Sequence, residues 1–278
     1  MQYQHIAVEP VAGALGAELS GIDLTEPLDP AREKELRHAW LEHQVLFLRD
    51  QDVTIDQHKA FARHFGDLHV HPVLQQLRNE GHPEVVVLEY DASHKFLASA
   101  WHSDVTFEKC PPMGSILRGI VIPDHGGDTM WASMYAAYEG LSDTMQRLLS
   151  SLEAFHDGGG FKRIAQDDEQ RKDLEQRQNA THPVIRTHPE TGRKAIFVNS
   201  GFTKTVVGMK LPESTALLRF LYGHLSKPEF TCRLRWEPNT IAMWDNRCTQ
   251  HSVVADVGDE HRLMHRVTLL GDAPYFED

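Results

Sequence analysis

Cysteine is scarce. The 278 residues contain three, Cys110, Cys232 and Cys248, with no Cys-x-x-Cys pair. An odd count without paired spacing argues against a disulfide scaffold and against a cysteine-based structural zinc site. Long apolar runs are missing as well. No stretch of 18 apolar residues exists, so no segment suits a bilayer span and no membrane partner is expected. The opening Met1-Gln2-Tyr3-Gln4-His5 has neither the basic nor the apolar region of a signal peptide, which predicts a cytoplasmic protein. Positive charge is in deficit, with 28 Lys and Arg against 40 Asp and Glu, a formal net charge of −12. That balance argues against nucleic acid as a partner. A small anion is still admissible, because a few local arginines can outweigh a distant negative surface.

Apolar residues make up 41% of the chain, ample for a packed core. The length is normal for one large β-rich domain spanning residues 1–278. Pro30–His43 reads as a helix capped by Asp29, and Thr54 caps a second helix through residue 65, stopped by Gly66. Residues 133–152 read as helical with a break at Gly140-Leu141-Ser142, and residues 212–225 as a further helix. Strands are expected at 45–48, 85–88, 116–122, 184–186, 195–198, 231–236, 241–244 and 262–270. This strand-rich second half predicts a β-rich α+β fold, a double-stranded β-helix (jelly roll) flanked by helices. Gly158-Gly159-Gly160 opens an irregular, charged stretch at about 158–180. It reads either as a lid or insertion over a site or as a solvated surface excursion.

The chemistry gathers at Trp101-His102-Ser103-Asp104-Val105-Thr106-Phe107. In extended backbone, residues two apart share a face, so His102 and Asp104 can reach one metal ion. The segment Trp244-Asp245-Asn246-Arg247-Cys248-Thr249-Gln250-His251 offers a third ligand, His251. Two imidazoles and a carboxylate with open positions form the ligand set of non-haem Fe(II) oxygenases. The same set can hold zinc for hydrolysis, but that leaves Arg262 and Arg266, four apart in one expected strand, without a purpose. His82-Pro83-Glu84 and His188-Pro189-Glu190 read as ordinary turns, because Pro separates the would-be ligands. Cys248 reads as a small packed residue.

With Gly126-Gly127-Asp128-Thr129 and the stretch from His261 to Thr268, these motifs resemble the Fe(II)/2-oxoglutarate dioxygenases of the taurine dioxygenase group. That group includes alkylsulfatase and aryloxyalkanoate dioxygenases. The matches follow the family's order and span nearly the whole chain. The resemblance implies Fe(II) on His102, Asp104 and His251, with 2-oxoglutarate and O2 as cosubstrates. It implies that Arg262 and Thr129 hold the distal carboxylate of 2-oxoglutarate. Arg266 and His71 match contacts to the substrate's anionic head, and Val105 and Phe202 match residues of the substrate pocket. A homodimer or homotetramer is also implied.

Three positions depart from the family pattern. Ala98 stands where taurine dioxygenase has a substrate-contacting Asn, Leu74 where it has a Tyr, and Gly158 where an aromatic is expected. These changes remove polarity and bulk, so a wider, more apolar pocket is expected. The expected reaction is hydroxylation of an organic anion, a sulfonate or sulfate ester, releasing sulfite or sulfate plus aldehyde with succinate and CO2. A carboxylate substrate of the aryloxyalkanoate kind, or a non-catalytic metal- or anion-binding β-domain, are the alternatives.

Overall fold

The structure, a computed structural model, describes residues 3–72, 74, 77–92, 98–159 and 179–278. The chain opens with β1 (Ala7–Pro10), β2 (Ala17–Ser20), α1 (Pro30–His43), β3 (Val45–Leu48) and α2 (Ile55–Arg63). Next come β4 (Leu68–His69), β5 (Arg78–Asn79), β6 (His82–Tyr90), β7 (Gly114–Val121) and β8 (Thr129–Ser133). Helices α3 (Met134–Glu139) and α4 (Asp143–Ser150) lead to β9 (Glu153–Asp157), β10 (Asn179–Pro183), β11 (Ile185–Thr187), β12 (Lys194–Ile196) and β13 (Thr203–Val206). Finally α5 (Leu211–Leu225) precedes β14 (Thr231–Leu234), β15 (Ile241–Asp245), β16 (Thr249–Val253) and β17 (Arg262–Leu269).

Local chemistry sets the helix ends. The Asp29 carboxylate accepts from the Ala31 and Arg32 backbone N–H groups at 2.9 and 3.0 Å, starting α1. Thr54 and Gln57 form a reciprocal capping box on α2. Ser133 and Ser142 cap α3 and α4. The break between those two helices falls at Gly140, where a β-carbon would lie 2.8 Å from the Phe230 ring.

The main sheet runs β1-β2-β3-β15-β7-β17-β6-β5, with β4 also on β17. A second sheet, β14-β8-β16, packs against it. Side-chain alternation gives the main sheet two cores. Leu46 and Leu48 of β3 face the helices, packing in one cluster with Leu36 and Trp40 of α1 and Phe61 of α2. Val45 and Phe47 face the second sheet, in a cluster with Trp131 and Trp244. The Phe47 and Trp131 rings lie 5.4 Å apart and the Trp131 and Trp244 rings 5.7 Å apart. Burying Phe47 stabilises the sandwich by about 1.5–3 kcal/mol. A third cluster joins α3 and α5 to β11 and β12. The result is the expected β-rich α+β fold, a jelly-roll core flanked by helices.

One expectation is corrected. His82-Pro83-Glu84 is the start of β6 rather than a turn. His82 pairs with Asn79 of β5, and β6 joins β17 from Val85 onward. The stretch anticipated at 158–180 ends inside β10, where Asn179 pairs with Asp157. Residues 160–178 of that stretch lie outside the described residues. His188-Pro189-Glu190 is a turn as expected.

Candidate active site

Both metal-ligand candidates of the imidazole type are fixed by one backbone contact. His102 N–H donates to the His251 carbonyl at 3.1 Å, and His251 N–H donates to the His102 carbonyl at 2.8 Å. This isolated antiparallel bridge puts the two rings 4.2 Å apart. Gly201 lies against it, where a β-carbon would sit 3.1 Å from His102 Cβ. The extended backbone anticipated for 102–104 is confined to this bridge. The chain then turns through residues 104–107, with Val105 at φ 52°. A β-branched residue at positive φ is strained, and here the turn aims Asp104 back at the histidines.

Nε2 of His102 and Nε2 of His251 each lie 3.9 Å from Asp104 Oδ1. That is too long for a hydrogen bond, and short enough for ligand bonds of about 2.1 Å to one shared ion. His102 Nδ1 lies 2.7 Å from the Ala100 carbonyl. A donor at Nδ1 leaves Nε2 unprotonated and able to ligate. Burial lowers the pKa of both imidazoles, so they stay neutral, as ligands must. Burial alone would raise the Asp104 carboxyl. The Arg266 guanidinium and the Ser115 hydroxyl outweigh it and hold the group well below the carboxylate range.

The second oxygen of Asp104 is engaged separately. Ser115 Oγ donates to Oδ2 at 2.7 Å, and Asn246 Nδ2 lies 3.3 Å from it. Trp244 Nε1 in turn donates to Asn246 Oδ1 at 3.0 Å. Sequence reasoning missed Ser115 and Asn246. A signal existed in each case: a serine immediately before the apolar run that starts at Ile116, and an asparagine directly after β15.

Alternation along β17 turns Arg262, Met264 and Arg266 toward the space between the sheets. Both arginines are buried and line a cavity of about 380 Å³ together with the His102, Asp104 and His251 trio. Burial lowers the Arg262 pKa to about 10, with Asp128 opposing, so the guanidinium stays charged at neutral pH. Its Nη2 is buried without a partner among the described residues. Thr129 opens β8 beside it, and its Oγ1 accepts from Trp236 Nε1 at 2.9 Å. The threonine's own proton is thereby left for an acceptor in the cavity. A buried cation with an idle donor next to a hydroxyl suits a carboxylate. The residues present therefore fit both a divalent metal and 2-oxoglutarate.

The remaining predicted residues share this cavity. His71, Val105 and Phe202 all line it, with the Phe202 ring edge-on to His102 at 6.0 Å. Leu74 and Ala98 line it too, whereas Gly158, though buried, is not among its lining residues. Arg266 Nη1 donates to Asp104 Oδ1 at 2.9 Å, a contact with the metal-facing oxygen that the sequence did not suggest.

A second cluster, His188, Asp245 and Cys248, also has ligand atoms close enough for an ion. Its carboxylate is already committed. Arg247 donates to it through Nε at 2.8 Å and Nη2 at 2.6 Å, and His188 Nε2 lies 3.0 Å away. Burial keeps the Cys248 sulfur a thiol. This cluster is a buried ion-pair knot that anchors the strand end carrying Asn246.

The chain matches the family described as taurine catabolism dioxygenase TauD, TfdA family, over residues 7–268. It is 36% identical to an alkylsulfatase of Acinetobacter baylyi over 278 residues, covering 97% of this chain and 86% of that protein. It is also 36% identical to an alpha-ketoglutarate-dependent sulfate ester dioxygenase of Pseudomonas putida over 276 residues, covering 96% of this chain and 90% of that one. The crystal structure of a taurine dioxygenase from Burkholderia xenovorans superposes with a TM-score of 0.86 at 38% identity, covering 99% of this chain and 92% of its own. Among the described residues, no helix is long and apolar enough to cross a membrane. The chain belongs to the TauD, TfdA family of dioxygenases, enzymes that use Fe(II), 2-oxoglutarate and O2.

Proposed function

We propose that this enzyme oxidises an alkyl sulfate ester or a long-chain alkyl sulfonate. His102, Asp104 and His251 hold Fe(II), and Arg262 with Thr129 holds the distal carboxylate of 2-oxoglutarate. Arg266 and His71 bind the anionic head, which places the adjacent carbon at the metal. Val105, Phe202, Leu74 and Ala98 wall the alkyl tail. The observation that carries this reading is the placement of both β17 arginines in the same cavity as the His-Asp-His trio. One arginine serves the cosubstrate and the other the substrate. Apolar Leu74 and Ala98 in the same wall favour a tail over the amine of a small aminosulfonate.

When bound, Fe(II) and 2-oxoglutarate supply the oxidation: O2 is consumed, one oxygen atom ending in succinate beside released CO2 and the other in a substrate C–H bond. The protein's part is placement and exclusion of water. Arg266 offers a charge-assisted contact to the head group. The hydroxylated carbon of a sulfate ester then loses its sulfate. The C–O bond breaks with its electron pair on sulfate, the hydroxyl proton departs, and an aldehyde carbonyl forms. A sulfonate loses sulfite in the same way by C–S cleavage. The same reading makes the chain a single cytoplasmic catalytic domain that acts as a homo-oligomer.

The test is product analysis with Fe(II), 2-oxoglutarate and O2 over hexyl sulfate, hexanesulfonate, taurine and aryloxyacetic acids. Inorganic sulfate or sulfite formed with succinate, fastest from the six-carbon substrates, is expected. Phenol release from the aryloxy acids alone would replace this reading with a carboxylate-substrate one.

A further inference from the structure

Among the described residues, the end of the cavity that faces the substrate's head carries little positive charge. Arg266 supplies one guanidinium, buried, with Nε lacking a partner among the described residues. His71 is buried beside it, and its Nδ1 accepts the Leu74 backbone N–H at 3.1 Å. An accepting Nδ1 leaves the ring's single proton on Nε2, so His71 is a neutral N–H donor and not a second cation. Burial, then Arg266, push its pKa well below the ordinary histidine value, in agreement.

Among the described residues, the surrounding ionisable groups do not change this count. His102, with Nδ1 on the Ala100 carbonyl, and His251 are neutral as ligands must be, and Asp104, which accepts from Ser115 and Arg266, is a carboxylate. His69, from β4, lies 3.3 Å from Glu108. Arg78, from β5, donates to the His71 carbonyl at 2.9 Å, is half-buried, and is not among the cavity's lining residues. Arg262 belongs to the cosubstrate end, with Asp128 nearby.

Building on the function proposed above, we infer that the head-group site accepts a singly charged anion and rejects a doubly charged one of the same shape. An alkyl sulfate or sulfonate enters, and the dianion of an alkyl phosphate does not. The reason is a charge count in an enclosed site. In the loaded enzyme Fe(II) brings two positive charges and Arg262 and Arg266 one each. Asp104 removes one and 2-oxoglutarate two. Over the described residues and the bound groups, one positive charge remains for the substrate. A monoanion neutralises it, and a dianion leaves a buried charge uncompensated, which a low-dielectric interior penalises heavily. Sulfate and phosphate monoesters are nearly equal in size, so the discrimination is electrostatic and not steric.

The test is calorimetric binding of hexyl sulfate and hexyl phosphate to protein loaded with Fe(II) and 2-oxoglutarate, with O2 excluded, across roughly pH 5.5–8. A phosphate monoester loses its second proton near pH 6. Hexyl sulfate is expected to bind with unchanged affinity throughout. Hexyl phosphate is expected to weaken by about tenfold per pH unit above that ionisation. Phosphate affinity that stays flat and close to that of the sulfate overturns the inference while leaving the proposed function intact. A parallel loss of both ligands places the titrating group in the protein and also overturns it. Failure of hexyl sulfate to bind at any pH removes the proposed function itself, and the inference with it.

Discussion

Ser115 Oγ donates to Asp104 Oδ2 at 2.7 Å, while Asp104 Oδ1 lies 3.9 Å from Nε2 of His102 and of His251. The carboxylate is thus divided, one oxygen tied to the β7 strand and the other turned to the metal position. Outer hydrogen bonds of this kind orient ligands and tune affinity. Replacing Ser115→Ala is expected to weaken Fe(II) or Mn(II) binding by about 10–100-fold. Calorimetric metal titration measures this, and circular dichroism should show the fold retained. Unchanged metal affinity in a folded variant would show that the hydroxyl does not position Asp104.

Arg262 is buried, with Nη2 unpartnered among the described residues. Arg262→Gln removes the charge that the distal carboxylate of 2-oxoglutarate is proposed to meet. A lost charge-assisted pair costs about 2–5 kcal/mol. The KM for 2-oxoglutarate should rise by roughly 100-fold or more, with the KM for the sulfate ester little changed. A rise confined to the sulfate ester would exchange the roles of the two arginines.

Leu74 and Ala98 line the cavity, where they are proposed to wall the substrate's tail. The double replacement Leu74→Tyr with Ala98→Asn restores bulk and polarity there. The ratio of kcat/KM for taurine over hexyl sulfate should rise by about tenfold or more, since pocket contacts of this size are worth about 1–3 kcal/mol. An unchanged ratio would place the tail elsewhere in the cavity.

Stability should depend on pH through buried neutral histidines. Burial lowers the pKa of His58 and of His156 to about 3. In the unfolded chain they titrate near 6.5. Below that value the unfolded chain takes up protons that the folded chain refuses. Stability that is complete above about pH 6.5 is therefore lost as pH falls toward 3, by about 1.4 kcal/mol per pH unit for each histidine. Urea midpoints measured from pH 7 to 5 should fall accordingly. A flat midpoint over that range would contradict the neutral, buried assignment.

Much of the site was legible because its ligands carry distinctive side chains at short spacing. His102 and Asp104 are two apart, and Arg262 and Arg266 keep one face of a strand. The jelly roll followed from the apolar strands, such as Val45–Leu48 and Ile241–Asp245. Some strands went unread because their inward face is polar, others because they are short. In β16, Thr249-Gln250-His251-Ser252-Val253 is largely buried yet reads as loop, because its side chains serve the cavity and its hydrogen bonds instead of an apolar core. β8 and β13 are only five and four residues long, too short for an alternating apolar pattern to mark them. The roles of Ser115 and Asn246 were missed for a different reason. Their partner Asp104 lies 11 and 142 positions away in sequence, so their role exists only once β7 and β15 pair. Arg266's contact with Asp104, 162 positions away, is hidden in the same way.

The most direct test of the account compares the wild-type enzyme with His102→Ala in two measurements on the same samples. These are Fe(II) binding in the presence of 2-oxoglutarate, and O2-dependent succinate formation with hexyl sulfate. The wild type is expected to bind about one Fe(II) per chain and to release succinate and sulfate in equal amounts. The variant is expected to lose tight Fe(II) binding and both products while remaining folded. Full turnover by His102→Ala would contradict the assignment of His102, Asp104 and His251 as the metal centre.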